Sequence, residues 1–184
     1  MAYAIDNGLR AKLEELGMLG KASGLLMAST RGEQGLLDNL IDSFVTTSLF
    51  GRYSPDHVHS NAEDLKEFRD DSFDLVEACG LFDFVEGAER AFESVSRVLR
   101  PTAVLFFHIG AGHLEGGDMP PRIERYRTDY TAKYYPSDYK QPIVVFGREW
   151  IEAKLMSLGF QVKQITWTDP GIEQPLTWWL AWRC

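Results

Sequence analysis

Apolar positions recur at helical spacing near the start of the chain: Ile5, Leu9, Leu13, Leu16 and Leu19, with Asp6 placed as an N-cap. They predict an amphipathic helix over 5–19, within an N-terminal helical segment 1–22. Gly20 and Gly24 bracket a break, and the apolar run 24–29 has the size of a buried strand. Leu36, Leu37, Leu40 and Ile41 then predict a helix of about ten residues. The β-branched and aromatic stretch 44–50 reads as a strand, and His57–Ser60 as a short one. Phe73–Ala78 is a further strand after the turn-like Asp70-Asp71-Ser72. Ala88–Leu99 places Ala91, Phe92, Val95, Val98 and Leu99 on one helical face, with Arg100-Pro101 as its stop. Ala103–Ile109 is almost continuously apolar, the pattern of a central parallel strand covered on both faces.

Residues 110–145 change character, holding four of the eight prolines and five of the seven tyrosines. Such a stretch is too long for a plain connection and predicts a lid or insertion. A helix over Arg148–Leu158 follows, stopped by Gly159. Two strands, Phe160–Trp167 and Pro175–Arg183, close the chain around an Asp169-Pro170-Gly171 turn, so they should pair antiparallel. The alternation of strands and helices predicts one α/β domain over 1–184, with helices on both faces of a mostly parallel sheet. In such sheets ligands bind at the carboxyl ends of the strands, which directs attention to the segments after residues 28, 50, 78 and 109.

Composition narrows the classes. The 184 residues are 45% hydrophobic and 25% charged, ordinary for a globular protein, and exclude a disordered or collagen-like chain. A net charge of −8 argues against nucleic acid as the main partner, because phosphate binding needs a basic face. No apolar run approaches the roughly 20 residues of a membrane span, and the N-terminus lacks a signal-peptide core. The two cysteines, Cys79 and Cys184, form no CxxC, so no zinc site is expected and a reducing cytoplasm is the simplest setting.

The stretch 61–109 carries the most specific motifs. Asn61-Ala62-Glu63-Asp64-Leu65, Ser72-Phe73-Asp74-Leu75-Val76 and Arg97-Val98-Leu99-Arg100-Pro101 follow one another at the spacing found in class I S-adenosylmethionine (SAM)-dependent methyltransferases. The ending 159–179, with Gly159-Phe160-Gln161-Val162 and Thr177-Trp178-Trp179, also resembles that family. The resemblance spans roughly residues 20–184. It implies a Rossmann-like α/β fold with a mostly parallel seven-stranded sheet, one antiparallel strand and helices on both faces. It also implies SAM as cofactor, no metal, and methyl transfer to a small-molecule or glycan-like acceptor.

The cofactor loop departs from the family's pattern. The acidic residue becomes Leu26, and the Gly-x-Gly-x-Gly positions become Ala28, Ser29, Thr30, Arg31 and Gly32. The glycines serve tight turning and close approach to the ligand, and a β-branched Thr30 resists positive φ. The strand-end acid that would take the ribose hydroxyls is missing from 45–55. These losses favour an alternative, a non-catalytic pseudo-methyltransferase that serves a protein partner.

The candidate residues follow from these positions. Ala28, Ser29, Thr30 and Gly32 would cradle the cofactor, with backbone N–H groups at a helix start as their means; a plain strand-to-helix turn is the other reading. Asn61, Ala62 and Glu63 would flank the adenine, or else begin a capped turn. Glu77 and His108 lie near central strand ends as catalytic candidates, His108 as a general base; both have packed, structural readings as well. Tyr126, Tyr130, Tyr134 and Tyr135 share a helical register and, with His113, would line the acceptor site. Asp56-His57-x-His59 puts two imidazoles on one strand face without a third ligand. Trp167, Trp178, Trp179 and Trp182 suit a core, or the surface of a homodimer.

Overall fold

The computed structural model describes residues 4–28, 31–48, 57–110, 113–126, 137–138, 140–167 and 176–184. Helix α1 opens as a π-wound turn, Ile5–Leu9, and continues as Arg10–Glu15. There follow β1 (Ser23–Met27), α2 (Arg31–Leu37), β2 (Ser43–Ser48), β3 (His57–His59) and β4 (Phe73–Cys79). A 3-10 turn (Phe82–Phe84), α3 (Ala88–Val98) and β5 (Leu99–Ile109) complete the central unit. The remaining elements are β6 (Leu114–Glu115), β7 (Arg122–Tyr126), β8 (Gln141–Gly147), α4 (Arg148–Ser157), β9 (Gln161–Trp167) and β10 (Leu176–Arg183).

Seven strands form one sheet in the order β3-β2-β1-β4-β5-β10-β9. Strand β10 runs antiparallel to both of its neighbours, and every other pair in this sheet is parallel. The expected architecture is therefore present, with helices on both faces. Val76, Ala78, Leu105 and Phe107 face one core, closed by Ala91, Phe92 and Val95 of α3 and Ile151 and Leu155 of α4. Leu26, Leu75, Val104 and Phe106 face the other, closed by Ile5, Leu9 and Leu13 of α1 and by Leu37, Leu40 and Ile41. A strand segment covered on both sides must be largely apolar, which is why the 103–109 part of β5 reads as an almost continuous hydrophobic run. Trp178 and Trp179 are buried within this fold, stacked on Phe106 and Phe107.

Three sequence expectations change. The helix stops at Val98 and the next strand begins at once, so Arg100-Pro101 lies inside β5 rather than between elements. The pairing with β4 jumps from Phe73↔Leu99 to Leu75↔Val104, and Pro101 sits in the resulting bulge, where its missing N–H costs no ladder bond. Helix α2 is shorter than expected, ending at Leu37, with Leu36 exposed and Leu40 and Ile41 packing from the connection to β2. The helical register through Tyr126 is overturned: Arg122–Tyr126 is strand β7, antiparallel to β8 in a separate three-stranded sheet β6-β8-β7. Its pairing with the β-branched Ile143-Val144-Val145 of β8 accounts for the strand. Tyr130, Tyr134 and Tyr135 lie outside the described residues.

The amino ends of the three central strands are tied by one carboxylate. Asp74 on β4 accepts the Ser23 N–H at 2.8 Å and the Ser23 hydroxyl at 2.9 Å, both from β1. It also accepts Arg100 Nη1 of β5 at 2.6 Å. Burial works to raise its pKa, but the bonds from Ser23 and Arg100 together hold the carboxyl below its ordinary range. Arg97 acts similarly on the loop before β4, donating to the carbonyls of Asp64, Leu65 and Phe68 and to Asp70.

A carboxyl whose folded pKa is depressed adds stability above its unfolded pKa and loses it as pH falls through the folded value. We therefore expect Asp74→Asn to cost about 2 kcal/mol at neutral pH. The gap to the parent protein should close as pH drops below about 4. Urea unfolding of both proteins at neutral and acidic pH checks this.

Candidate functional site

The carboxyl ends of β1, β4 and β5 open on the same edge of the sheet. At the end of β1 the chain turns through Ala28, whose φ is +56°. Its N–H donates to Thr47 O of β2 at 2.7 Å, which fixes the turn on the neighbouring strand. This left-handed conformation is one that glycine takes without strain, and here an alanine adopts it. Gly32 lies in the first turn of α2. Ser29 and Thr30 lie outside the described residues. Leu26, at the position of the family's acid, points into the α1-side core and is fully buried.

The turn over 61–65 uses its polar atoms internally. Asn61 Oδ1 accepts the Glu63 N–H at 3.0 Å, and the Asn61 carbonyl accepts the N–H groups of Asp64 and Leu65. The Ala62 carbonyl accepts the Ser94 hydroxyl. Glu63 reaches across to α3, accepting the Gly87 N–H at the N-cap and pairing with Arg90. A Cβ at Gly87 would collide with that carboxylate, so the glycine is what lets Glu63 approach. Backbone groups at a helix start need such an acceptor, so Glu63 serves α3 directly.

Glu77 is fully buried two residues before the end of β4, between Leu26 and Phe106 in register. By alternation it shares the α1 face with Leu75. His108 lies beside Cys79 and Trp178 in register, with its ring centroid 5.2 Å from that of Trp178 and Nε2 buried. Glu77 is thus set back between the strands, whereas His108, level with the last residue of β4 and half-buried, stands one residue from the end of β5. His57 is spoken for as well: its Nδ1 is 2.9 Å from Thr46 Oγ1 and its Nε2 3.2 Å from Ser48 Oγ. His59 stands edge-on to it, with ring centroids 4.9 Å apart. Among the described residues, no three His, Cys, Asp or Glu side chains are grouped to hold a metal ion.

The rim over β4 and β5 holds a group that the sequence reading missed. After β4 the chain turns at Gly80, φ +62°, into the 3-10 turn. There Asp83 is only 2% exposed, although Phe84 beside it is 42% exposed. Asp83 accepts the Gly110 N–H, just past β5, at 3.0 Å and 3.2 Å from its two oxygens. Its Oδ1 also lies 2.9 Å from Nδ1 of His113, whose side chain is 25% exposed. The approach at Gly110 is close: a Cβ there would sit 3.3 Å from His113 Nδ1. His113, an acceptor-site candidate from sequence, is thus brought to the strand ends by a residue that sequence alone did not single out. The available signal was a lone acid between two phenylalanines, Phe82-Asp83-Phe84.

The small sheet β6-β8-β7 lies beside this rim. Arg125 of β7 pairs with Glu86, two residues beyond Phe84, and Arg122 binds Glu115 of β6. The loop before β7 is fastened to α4, with Gly147 N–H donating to Met119 O and Glu149 N–H to Gly117 O. Tyr126 takes part as backbone in β7.

Residues 39–107 match the family model of a methyltransferase domain. The structure is similar to a SAM-dependent methyltransferase from Mesorhizobium loti, with TM-score 0.67 and 17% identity over 98% of each chain. A SAM-dependent methyltransferase from Clostridium acetobutylicum superposes with TM-score 0.63 at 13% identity, covering 99% of this chain and 97% of that one. The chain has the fold of class I SAM-dependent methyltransferases. The 1,6-didemethyltoxoflavin-N1-methyltransferase of Burkholderia thailandensis shares this methyltransferase fold, with TM-score 0.63 and 13% identity over 93% of this chain and 74% of that one. That enzyme was solved with 1,6-didemethyltoxoflavin and S-adenosylhomocysteine. No curated protein sequence matches the chain. No helix among the described residues is long and apolar enough to cross a membrane.

The left-handed turn at Ala28 carries a measurable cost. A left-handed non-glycine residue loses roughly 1–2 kcal/mol, partly offset because glycine is freer in the unfolded chain. Ala28→Gly should therefore stabilise the protein by about 0.5–1 kcal/mol. A shift of the urea midpoint to higher concentration is the expected result; a shift to lower concentration contradicts the left-handed turn.

Proposed function

We propose that the chain is a SAM-dependent methyltransferase acting on a small-molecule or glycan-like acceptor. The observation that carries this reading is the positive φ of Ala28 at the end of β1, in a sheet with methyltransferase strand order. The backbone there adopts a left-handed conformation that glycine takes without strain, which supports a cofactor loop at this turn although the glycine is gone. The backbone at Ala28 and Gly80 would hold the cofactor across the ends of β1 and β4. SAM supplies a methyl group on a positively charged sulfur, so the reactivity belongs to the cofactor. The protein's part is to place the acceptor over β4 and β5, to exclude water, and to receive a proton. The rim residues Phe84 and His113 would bound the acceptor space, and β7–β8, tied by Arg125 to Glu86, would form its outer wall as a lid.

A second reading, a non-catalytic methyltransferase fold that binds a protein partner, is favoured by the turn 61–65. Its polar side chains Asn61 and Glu63 are engaged within the fold. Calorimetric titration with SAM and S-adenosylhomocysteine separates the two. The catalytic reading expects a dissociation constant at about the micromolar level, near −8 kcal/mol. No heat from folded protein at millimolar ligand overturns it and leaves the partner-binding reading.

A further inference from the structure

We propose that Asp83 and His113 form a proton-accepting pair at the carboxyl ends of β4 and β5, and that the acceptor is a ring-borne hydroxyl lying on Phe84. The proposal rests on the methyltransferase reading and names the acceptor chemistry of that site.

The geometry fixes the roles of the two imidazole nitrogens. An ionised carboxylate only accepts hydrogen bonds, and Asp83 already accepts the Gly110 N–H. Its contact with His113 at 2.9 Å therefore makes Nδ1 the protonated nitrogen of the neutral ring. The lone pair is then on Nε2, on a side chain with a quarter of its surface open. Asp83 is held from two sides and almost wholly buried, so it can fix the orientation of His113. When the acceptor hydroxyl is deprotonated, its O–H bond breaks and the electron pair stays on oxygen. The proton goes to Nε2, and the imidazolium so formed lies against the Asp83 carboxylate, which stabilises it. His113 is the catalytic residue of this pair and Asp83 a positioning residue.

Phe84 supplies the platform. It is one of the few large apolar side chains exposed among the described residues, and its ring meets His113 edge-on at a centroid distance of 6.0 Å. An exposed aromatic face next to an oriented base suits a flat, partly apolar ring whose hydroxyl reaches over the imidazole. The neighbouring Arg125–Glu86 pair has its charges matched.

The test uses 4-nitrophenol as the ring-hydroxyl probe, at a pH where the free probe is mostly protonated. Titration of the probe with the parent protein should give a saturable phenolate absorbance. We expect His113→Gln to lower that signal at least tenfold and Phe84→Ala to weaken probe binding severalfold. Nitrogen-15 NMR of the histidine ring reports the pair independently of any ligand. The parent protein should show Nδ1 protonated and Nε2 bare; in Asp83→Asn, whose amide can donate to Nδ1, the tautomer should reverse and the phenolate signal fall. The assignment is overturned by a phenolate signal unchanged in His113→Gln, by no saturable signal in the parent protein, or by an Nε2-protonated ring in the parent protein. Calorimetry with S-adenosylhomocysteine on the parent protein distinguishes the two failures. Cofactor binding with a His113-independent phenolate signal sinks only the base, and absent cofactor binding sinks the methyltransferase reading.

Discussion

The fold depends on three parallel strands, β1, β4 and β5, being held in one register while both of their faces are buried. Hydrophobic burial is non-directional and would tolerate a slipped register. The bonds from Ser23 and Arg100 to Asp74 are directional and act at the strands' amino ends. Once those ends are aligned, the strand lengths decide where each carboxyl end falls. Ala28, Gly80 and Gly110 then come to one edge, each at a turn where the chain leaves the sheet. The site at one end of the sheet is thus set by a polar tie at the other.

At that edge the chain divides its polar groups between structure and chemistry. Glu63, Asn61 and the hydroxyls around His57 are engaged in supporting α3, the turn before β4 and the β2–β3 edge. Glu77 is sunk among the strands, and His108 keeps Nε2 buried beside Trp178. Among the described residues, the rim carries the backbone turn at Ala28, the aromatic ring of Phe84, and His113 oriented by Asp83. Strain at Ala28 fits this division, since a left-handed alanine persists only where the surroundings hold it, here through Thr47.

The central strands were legible because a strand buried on both faces has to be apolar along its length, as 103–109 is. The motif residues were legible too, although their roles were not. Asp74, Arg97 and Glu63 turn out to fasten strands, loop and helix, which explains why such a motif follows the fold and says little about activity. Pro101 was misplaced because a helix stop and a strand bulge use the same residue. Tyr126 was misread because tyrosines four apart imitate a helix, while pairing with β8 is non-local and has no local signal. Asp83 was missed because a three-residue turn has no periodicity to read, and its importance comes from partners 27 and 30 positions away.

Hydrogen exchange of the full chain, with and without S-adenosylhomocysteine, tests the account most directly. The cofactor should slow exchange at the backbone amides of Ala28, Arg31 and Gly80–Phe84, at the carboxyl ends of β1 and β4. Slowing confined to the amino ends around Ser23 and Arg100, or no slowing anywhere, would contradict a cofactor site built on these strand ends.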